Sequence, residues 1–96
     1  MHLTITGRRW FQRTYGNTYH TAQIRIDGKP IHSTPKEYGY DDQYIETAMR
    51  WLDESGLIEP RLKHNNGFHE ALYQWAERTG NTFDTIPSDV SRERDL

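Results

Sequence analysis

The chain of 96 residues contains no cysteine. This absence excludes disulfide bonds, thiolate zinc sites and cysteine nucleophiles. Hydrophobic residues are also scarce, at 33% of the chain, and no apolar run resembles a signal peptide or approaches membrane-spanning length. A chain of this size and composition predicts a single domain, residues 1–96, with a thin core. We expect a cytoplasmic protein with no membrane partner.

The small net charge of −2 conceals an uneven distribution along the chain. Residues 1–40 carry six Lys or Arg against two acidic residues, whereas residues 41–96 carry six against twelve. A basic front half and an acidic back half can present opposite patches to different partners. Alternatively, the two halves neutralise each other across the fold.

The segment GRRWFQRTYGNTYHTAQIRID is typical of a long β-hairpin whose first strand is rich in arginine and aromatic residues. Glycine at the first position of Gly16-Asn17 favours a two-residue type II′ turn. The two strands are then predicted at residues 3–15 and 18–27. A surface of this composition is suited to contact with a partner.

The predicted turn also sets the register of the hairpin. The residues that it directs towards the core are Ile5, Phe11, Ala22, Ile24 and Ile26. It places Arg8 opposite Arg25 and Arg9 opposite Ile24, and like charges directly opposed destabilise a strand pair. A bulge near residues 7–9 or a bound anion would resolve this conflict, and we favour the bulge.

The remainder of the chain predicts one more strand and two helices. Asp27-Gly28 is a turn signal that leads into a short strand around residues 30–33, and the proline at position 30 marks it as an edge strand. Helical periodicity predicts helices from Asp41 to about residue 55 and from about residue 67 to 79.

Residues 81–96 contain few apolar anchors, so we expect a partly flexible tail. The predicted fold class is therefore α+β. Its three-stranded antiparallel sheet consists of the N-terminal hairpin and the short edge strand, and it packs against two helices.

Metal-binding patterns are weak. His64, His69 and Glu70 are close in sequence, and two imidazoles with a carboxylate can hold zinc. Their spacing matches no established site, and histidines at the start of a helix are usually surface residues. We therefore predict no metal site and no cofactor.

Catalytic patterns are equally weak. His20, Arg13 and Tyr19 near the hairpin tip contain the groups needed to cleave a phosphodiester, with histidine as the base and arginine stabilising the developing charge. Three common polar residues at a hairpin tip often occur by chance, and no serine has the context of a nucleophile. We therefore predict no catalytic residue and no enzyme.

With metal binding and catalysis disfavoured, the sequence favours binding to a macromolecular partner. Basic side chains interleaved with aromatic rings are typical of surfaces that stack single-stranded nucleic acid, but the net negative charge weakens that interpretation. A protein partner can instead dock on the hairpin, or on acidic residues at the start of the first helix. Such acidic residues can occupy a basic channel meant for nucleic acid.

Two segments, ITGRRWFQRTYGNTYHTAQI and YGYDDQYIETA, resemble a group of small proteins encoded by phages and prophages. The resemblance covers about residues 3–50, and its most distinctive parts are GRRWF, YGNTYH and the YGY–QY segment. It ties no activity to any residue. It implies a context, because small phage proteins without catalytic motifs often bind host or phage macromolecules stoichiometrically, as many inhibitors of bacterial defence do.

These observations predict a non-enzymatic phage-type binding protein that inhibits a host defence complex, a protein or ribonucleoprotein, as anti-CRISPR proteins do. The alternative is a phage accessory protein that binds nucleic acid through the same hairpin. The predicted partner-binding residues are Arg8, Arg9, Trp10, Arg13, Tyr19 and His20, with Asp41, Asp42 and Glu46 as the acidic alternative. A sheet face bearing Trp10 and Tyr19 that two helices cannot cover also favours a homodimer.

Overall fold

The computed structural model describes residues 1–59 and 71–96, and the backbone of residues 62–63 and 68–69. The strands are β1 (His2–Gln12), β2 (Asn17–Ile26), β3 (Lys29–Ser33), β4 (Glu37–Tyr38), β5 (Leu62–Lys63), β6 (Phe68–His69) and β7 (Thr82–Val90). The helices are α1 (Gln43–Glu54), α2 (Leu72–Thr79) and a short 3₁₀ helix (Glu93–Asp95). Among the helices described, none is long and apolar enough to span a bilayer.

The main sheet contains five strands and is mixed. Its order is β3, β2, β1, β7, with β4 also pairing with β2. The pair β1–β2 is antiparallel, whereas β1–β7 is parallel. The α+β class with two helices is confirmed. The three-stranded antiparallel sheet is wrong in extent, because residues 81–96, for which we predicted a partly flexible tail, contain the long strand β7.

The hairpin loop is longer than predicted. Strand β1 ends at Gln12 and β2 begins at Asn17, so four residues form the loop. The amide of Gly16 donates to the carbonyl of Gln12 over 2.9 Å. Gly16 adopts φ of +68°, and a glycine in this left-handed conformation is typical of the end of a longer hairpin loop.

The longer loop shifts each strand partner four positions along β2. Trp10 lies opposite Tyr19, Arg8 opposite Thr21 and Arg9 opposite His20. The predicted like-charge pair does not form, so the bulge and the anion invoked to relieve it are both unnecessary. Because four is an even number, the shift leaves every side chain on its predicted face of the sheet.

The two helices pack against one face of the sheet and leave the other face uncovered. The helix face contains Leu3, Ile5, Ala22 and Ile24, which are buried with residues of α1 and α2 in the hydrophobic core. The open face contains the alternate residues of the central strands, among them Arg8, Trp10, Tyr19, Thr21 and Gln23.

The first helix is anchored on the sheet by an aromatic ring on a glycine. A Cβ atom added to Gly7 would overlap the ring of Tyr44, so the ring lies directly on the backbone of β1. Tyr44 stands in the first turn of α1, and the helix therefore covers the strand only as far as Gly7. Phe11, which we predicted on the core side, lies on that side but beyond the helix, and is 55% exposed.

Both predicted helices are present with altered starts. The N-cap of α1 is Asp42 rather than Asp41. Helix α2 starts at Leu72, later than predicted, and ends at Thr79 as expected, with Gly80 as its C-cap at a φ of +72°. The predicted start near residue 67 lies outside the described residues, and the helix predicted at residues 68–69 is wrong, because they form strand β6, which pairs with β5. The predicted edge strand is confirmed as β3, attached to α1 by His32 stacked on Trp51 with ring centroids 4.1 Å apart.

Candidate partner-binding surface

An aromatic cluster lies on the open face of the hairpin. Trp10 and Tyr19 are strand partners, and their rings stack with centroids 6.0 Å apart. Tyr38 of β4 meets Tyr19 edge-on at 5.9 Å. The ammonium of Lys36 lies 5.1 Å from the centre of the Tyr19 ring. The strand register thus brings together Trp10 and Tyr19, which were both predicted to bind a partner. The cluster also contains Tyr38 and Lys36, which the sequence did not indicate.

The three hairpin arginines have different environments. Arg8 is exposed on the open face, and Arg13 is exposed in the hairpin loop. Arg9 lies on the helix face, where its Nε donates to Asp89 over 2.7 Å and its Nη1 donates to the Asp41 carbonyl over 3.1 Å. The hydrogen bond to Asp89 is the main cause that raises the pKa of Arg9. Arg9 is therefore engaged within the fold, while Arg8 and Arg13 face solvent.

His20 is a core residue and not part of a basic tip. It is 1% exposed. Its Nδ1 lies 3.1 Å from the Gly39 carbonyl, and its Nε2 lies 2.7 Å from the Thr47 hydroxyl. A carbonyl can only accept, so Nδ1 carries the proton and Nε2 accepts from the hydroxyl. The predicted exposure of His20 is wrong because the four-residue shift moves it from the tip to a position under α1.

The predicted acidic residues lie at the start of α1. Asp41 and Asp42 are exposed, and Asp41 has φ of +56°. Although Asp42 is the N-cap, its side chain makes no capping hydrogen bond. The half-buried Glu46 accepts from the side-chain amide of Gln43 over 3.1 Å. Helix capping therefore does not account for the carboxylates of Asp41 and Asp42.

Three exposed rings lie beside these acids, and we call them the aromatic rim: Phe11, Tyr38 and Tyr40. A cleft of about 480 Å³ lies between Phe11 and Tyr40, and Asp41 and Asp89 also line it. A second cleft of about 600 Å³ lies between Tyr38 and Tyr40. The two clefts meet at Tyr40, which is 69% exposed.

The second cleft is also acidic. Its charged lining residues are Asp41, Asp42 and Glu46. The acidic helix start thus adjoins the helix face of the hairpin at Arg9 and Phe11, whereas the predicted hairpin residues Arg8, Trp10 and Tyr19 lie on the open face. The helix start and the hairpin meet where Arg9 bonds the carbonyl of Asp41.

Gly39 positions the rim. Its φ of +152° is a conformation that residues with side chains rarely adopt. A Cβ at this position would stand 2.9 Å from Cβ of Gln43 and 3.0 Å from Cε1 of His20. The amide of Gly39 donates to the Thr18 carbonyl over 3.0 Å. The YGY sequence therefore holds its glycine against the hairpin and leaves both tyrosines in solvent, a signal that sequence analysis could have used.

No group of three His, Cys, Asp or Glu side chains that could hold a metal ion occurs in the part of the chain that the structure describes. His64 and Glu70, considered above as zinc ligands, lie outside that part. His20 and Tyr19, considered as members of a catalytic group with Arg13, point to opposite faces of β2 because they are neighbours in a strand.

Comparison with protein-family models, with curated proteins and with solved structures found no match to this chain.

Proposed function

We propose that the chain is a non-enzymatic binding protein that docks its aromatic rim onto a protein partner. The observation that carries this proposal is the exposure of Tyr40 between two further exposed rings, with one cleft shared with Phe11 and another shared with Tyr38. Aromatic side chains provide large contact areas and lose little conformational entropy, and they are enriched where proteins bind one another. Clustered exposed rings mark interaction sites.

The charges beside the rim favour a basic partner. Asp41 and Asp42 line the clefts, and the side chain of the N-cap residue Asp42 makes no capping hydrogen bond. A Lys or Arg side chain entering either cleft would meet an aromatic ring and a carboxylate together. Cation–π attraction and a charge-assisted hydrogen bond would then act on the same cation.

The same charges disfavour nucleic acid at the rim. Phosphates would meet Asp41, Asp42 and Asp89, and Arg9 is already bonded to Asp89. Neutralisation of phosphates supplies most of the affinity of nucleic-acid binding. A basic protein surface therefore matches the aromatic rim better than nucleic acid does.

The resemblance to small phage proteins supports a host defence complex as this partner. A protein or ribonucleoprotein complex that handles nucleic acid presents basic channels, and the acidic and aromatic rim would fill such a channel. The chain would then inhibit the complex stoichiometrically, as anti-CRISPR proteins do. This link to a class of partner is contextual and rests on the resemblance.

Phage plating in bacteria that carry defined defence systems, CRISPR–Cas systems among them, tests the proposal. The wild-type chain should restore plating against one system, and purified chain should bind the purified complex. We expect Tyr40→Ala and Asp41→Lys each to weaken binding at least about tenfold, because a buried aromatic or charged anchor carries much of an interface's energy.

The matched control is Leu57→Ala, which removes a large exposed side chain just after the opposite end of α1. It should bind and restore plating as the wild type does. Equal inhibition by all three variants would remove the rim from the docking surface. Failure of the wild-type chain to bind or inhibit any of the complexes would overturn the proposed function.

The second candidate is nucleic-acid binding through the open face. The observation that favours it is the exposure of Arg8 and Arg13 near the stacked Trp10–Tyr19 pair. Arg13 and Trp10 line one cleft of about 520 Å³. Base stacking on exposed rings beside arginines is a known mode of single-strand binding. The salt dependence of binding distinguishes this candidate from the protein-docking function.

A further inference from the structure

A polar pocket lies on the open face, on the other side of the sheet from the helices. It has a volume of about 750 Å³ and lies between the end of β3 and the C-terminal segment. The residues that line it are Thr21, Ser33, Thr34, Pro35, Lys36, Arg92, Glu93, Arg94 and Leu96. Its chemistry is set by three hydroxyl groups and three cations, and neither the aromatic rim nor the acidic start of α1 contributes to it.

One hydroxyl of the pocket has its proton available. Thr34 is only 6% exposed. Its Oγ1 accepts a hydrogen bond of 2.8 Å from the backbone amide of Ala22. An amide can only donate, so the hydroxyl proton of Thr34 is not used in this bond. The pocket therefore contains a buried oxygen that is fixed as an acceptor on one side and can donate on the other.

Two more hydroxyls are held in the same way by Gln23. Its Nε2 donates to Thr21 Oγ1 over 2.8 Å and to Ser33 Oγ over 3.3 Å. Thr21 is 6% exposed, like Thr34. Both oxygens act as acceptors towards the amide, so their protons too can be donated. Three O–H donors thus line one cavity.

Cations outnumber acids in the pocket. Lys36, Arg92 and Arg94 line it together with one acidic side chain, Glu93. Glu93 accepts a hydrogen bond from Lys36, and Arg92 is bonded to the neighbouring Asp95. Arg94 is exposed and makes no ion pair with the residues that the structure describes. A cavity with several hydroxyl donors and one guanidinium that is unpaired among the described residues matches an oxyanion.

We propose that this pocket binds a phosphate group. Hydroxyl donors and guanidinium groups recognise the oxygens of phosphate, and arginine provides paired donors suited to its geometry. The volume lies within the range of roughly 300–1,000 Å³ that small-molecule sites occupy, so the phosphate would be part of a larger ligand. Binding would replace the carboxylate of Glu93 at Lys36 with a phosphate oxygen. The site is independent of the docking function proposed for the aromatic rim.

Titration with inorganic phosphate, followed by amide chemical shifts in NMR spectra, tests the proposal. Sodium chloride and sodium acetate at the same ionic strength are run in parallel. We expect saturable shifts at Thr34 and Lys36 with phosphate, and none with chloride or acetate. Arg94→Gln should weaken phosphate binding about tenfold, the scale of one charge-assisted hydrogen bond. Ser33→Ala should weaken it by a smaller factor.

The matched control is Arg25→Gln, which removes an exposed arginine of the open face that does not line the pocket. It should bind phosphate as the wild type does. Equal affinity in Arg94→Gln and the wild type, or equal shifts with chloride or acetate, would overturn the proposal. A parallel titration with ribose 5-phosphate measures the contribution of the rest of the ligand; weaker binding than that of phosphate alone would show that the cavity does not accept a phosphorylated small molecule.

Discussion

At the scale of single residues, Gly7 and Tyr44 determine where the first helix lies on the sheet. The ring of Tyr44 occupies the space that any side chain at position 7 would need. Tyr44 itself is 2% exposed. We predicted a bulge near Gly7, whereas this glycine lies in a regular strand and allows the close approach of the Tyr44 ring.

Replacement of Gly7 by alanine should therefore destabilise the fold by about 1–3 kcal/mol, because overpacking forces the ring or the strand to move. Urea unfolding measures the change. The control is Thr6→Ala, a neighbour whose side chain lies on the open face, with a smaller expected effect. In a double-mutant cycle with Tyr44→Ala, the cost of Gly7→Ala should largely disappear; additive costs would show that the two residues do not interact.

His20 and Thr47 form a second interaction at this scale. Both are buried, and the Thr47 hydroxyl donates to the histidine Nε2 over 2.7 Å. Thr47→Val keeps the shape and removes the donor, so it should cost about 1–3 kcal/mol by leaving a buried acceptor unsatisfied.

The control for Thr47→Val is Thr85→Val in β7, where the hydroxyl makes no hydrogen bond within the described residues. Nitrogen-15 NMR of the wild type should show the proton of His20 on Nδ1. A proton on Nε2 would contradict the assigned donor and acceptor roles.

At the scale of elements, β7 is the strand that sequence analysis did not predict. Its residues alternate poorly in hydrophobicity, with Phe83 and Ile86 on opposite faces of the sheet and Pro87 near the middle. Proline lacks the amide that a central strand needs, but β7 lies at the edge. A parallel partner at the far end of the chain also leaves no turn signal, so local pattern could not reveal the pairing with β1.

The start of β7 is bonded to β1 by a carboxylate. Asp84 Oδ1 accepts from the Thr4 hydroxyl over 2.6 Å and lies 2.9 Å from His2 Nε2. The hydrogen bond from Thr4, followed by the bond and charge of His2, lowers the pKa of Asp84 below its ordinary value of 3.8.

A lowered carboxylate pKa stabilises the fold above the unfolded-state pKa, and this stability is lost as the pH falls through the folded-state pKa. Asp84→Asn should therefore be less stable than the wild type near neutral pH. The difference should shrink as the pH falls below 3.8. Urea unfolding across this range measures it. Thr4→Val, which removes the largest cause of the shift, should lose part of the same pH dependence, and a difference independent of pH would contradict the role of the charge.

The hairpin shows which parts of the fold could be predicted from sequence. The alternation of apolar residues correctly identified the core face, because side chains alternate with a period of two. The register depended on the length of the loop, and Gly16 is compatible with either a two-residue turn or the end of a longer loop. Distant residues favour the longer loop, because in the observed register His20 bonds Gly39 and Thr47.

The residues of the proposed binding surface were only partly indicated by the sequence. Composition pointed to arginines and rings on the hairpin, and to acids at the start of α1. It could not show that Arg9 is bonded to Asp89, because that partner comes from the unrecognised strand β7. Nor could it show that Tyr40 stands between the two groups of charges.

At the scale of the whole molecule, the basic and acidic halves of the chain are mixed by the fold. Arg9 pairs with Asp89, and Lys36 pairs with Glu93. Both pairs join a basic residue of the first half to an acidic residue near the C-terminus. Mutual neutralisation, one of the two alternatives that the sequence left open, therefore applies to these cations. Arg8 and Arg13 make no ion pair with the described residues.

The homodimer expected across the open face stays a prediction. The C-terminal segment approaches that face where Glu93 bonds Lys36, and the exposed Ile86 and the stacked Trp10 lie elsewhere on it. Sedimentation velocity over a range of concentrations tests association, and Ile86→Lys should shift the protein to monomer because it buries a charge at the contact. The same distribution for both proteins would exclude this face as the interface.

Nucleic-acid binding is also decided at the scale of the whole molecule. With two unpaired arginines beside the stacked rings, the logarithm of the binding constant should fall with the logarithm of salt concentration with a slope no steeper than about −2. Electrophoretic mobility shifts with single- and double-stranded DNA and RNA, measured between about 50 and 200 mM salt, provide this slope. We expect weak binding that is lost at the upper salt concentration, because the acidic residues of the second half of the chain repel phosphate.

At that salt concentration the double variant Arg8→Glu/Arg13→Glu should behave as the wild type does. Arg25→Glu, on the same face, is the control for the double variant. A steeper slope, with binding abolished by the double variant and retained by the control, would instead make the open face a nucleic-acid site that neutralises phosphates at Arg8 and Arg13 and at further cations beside them.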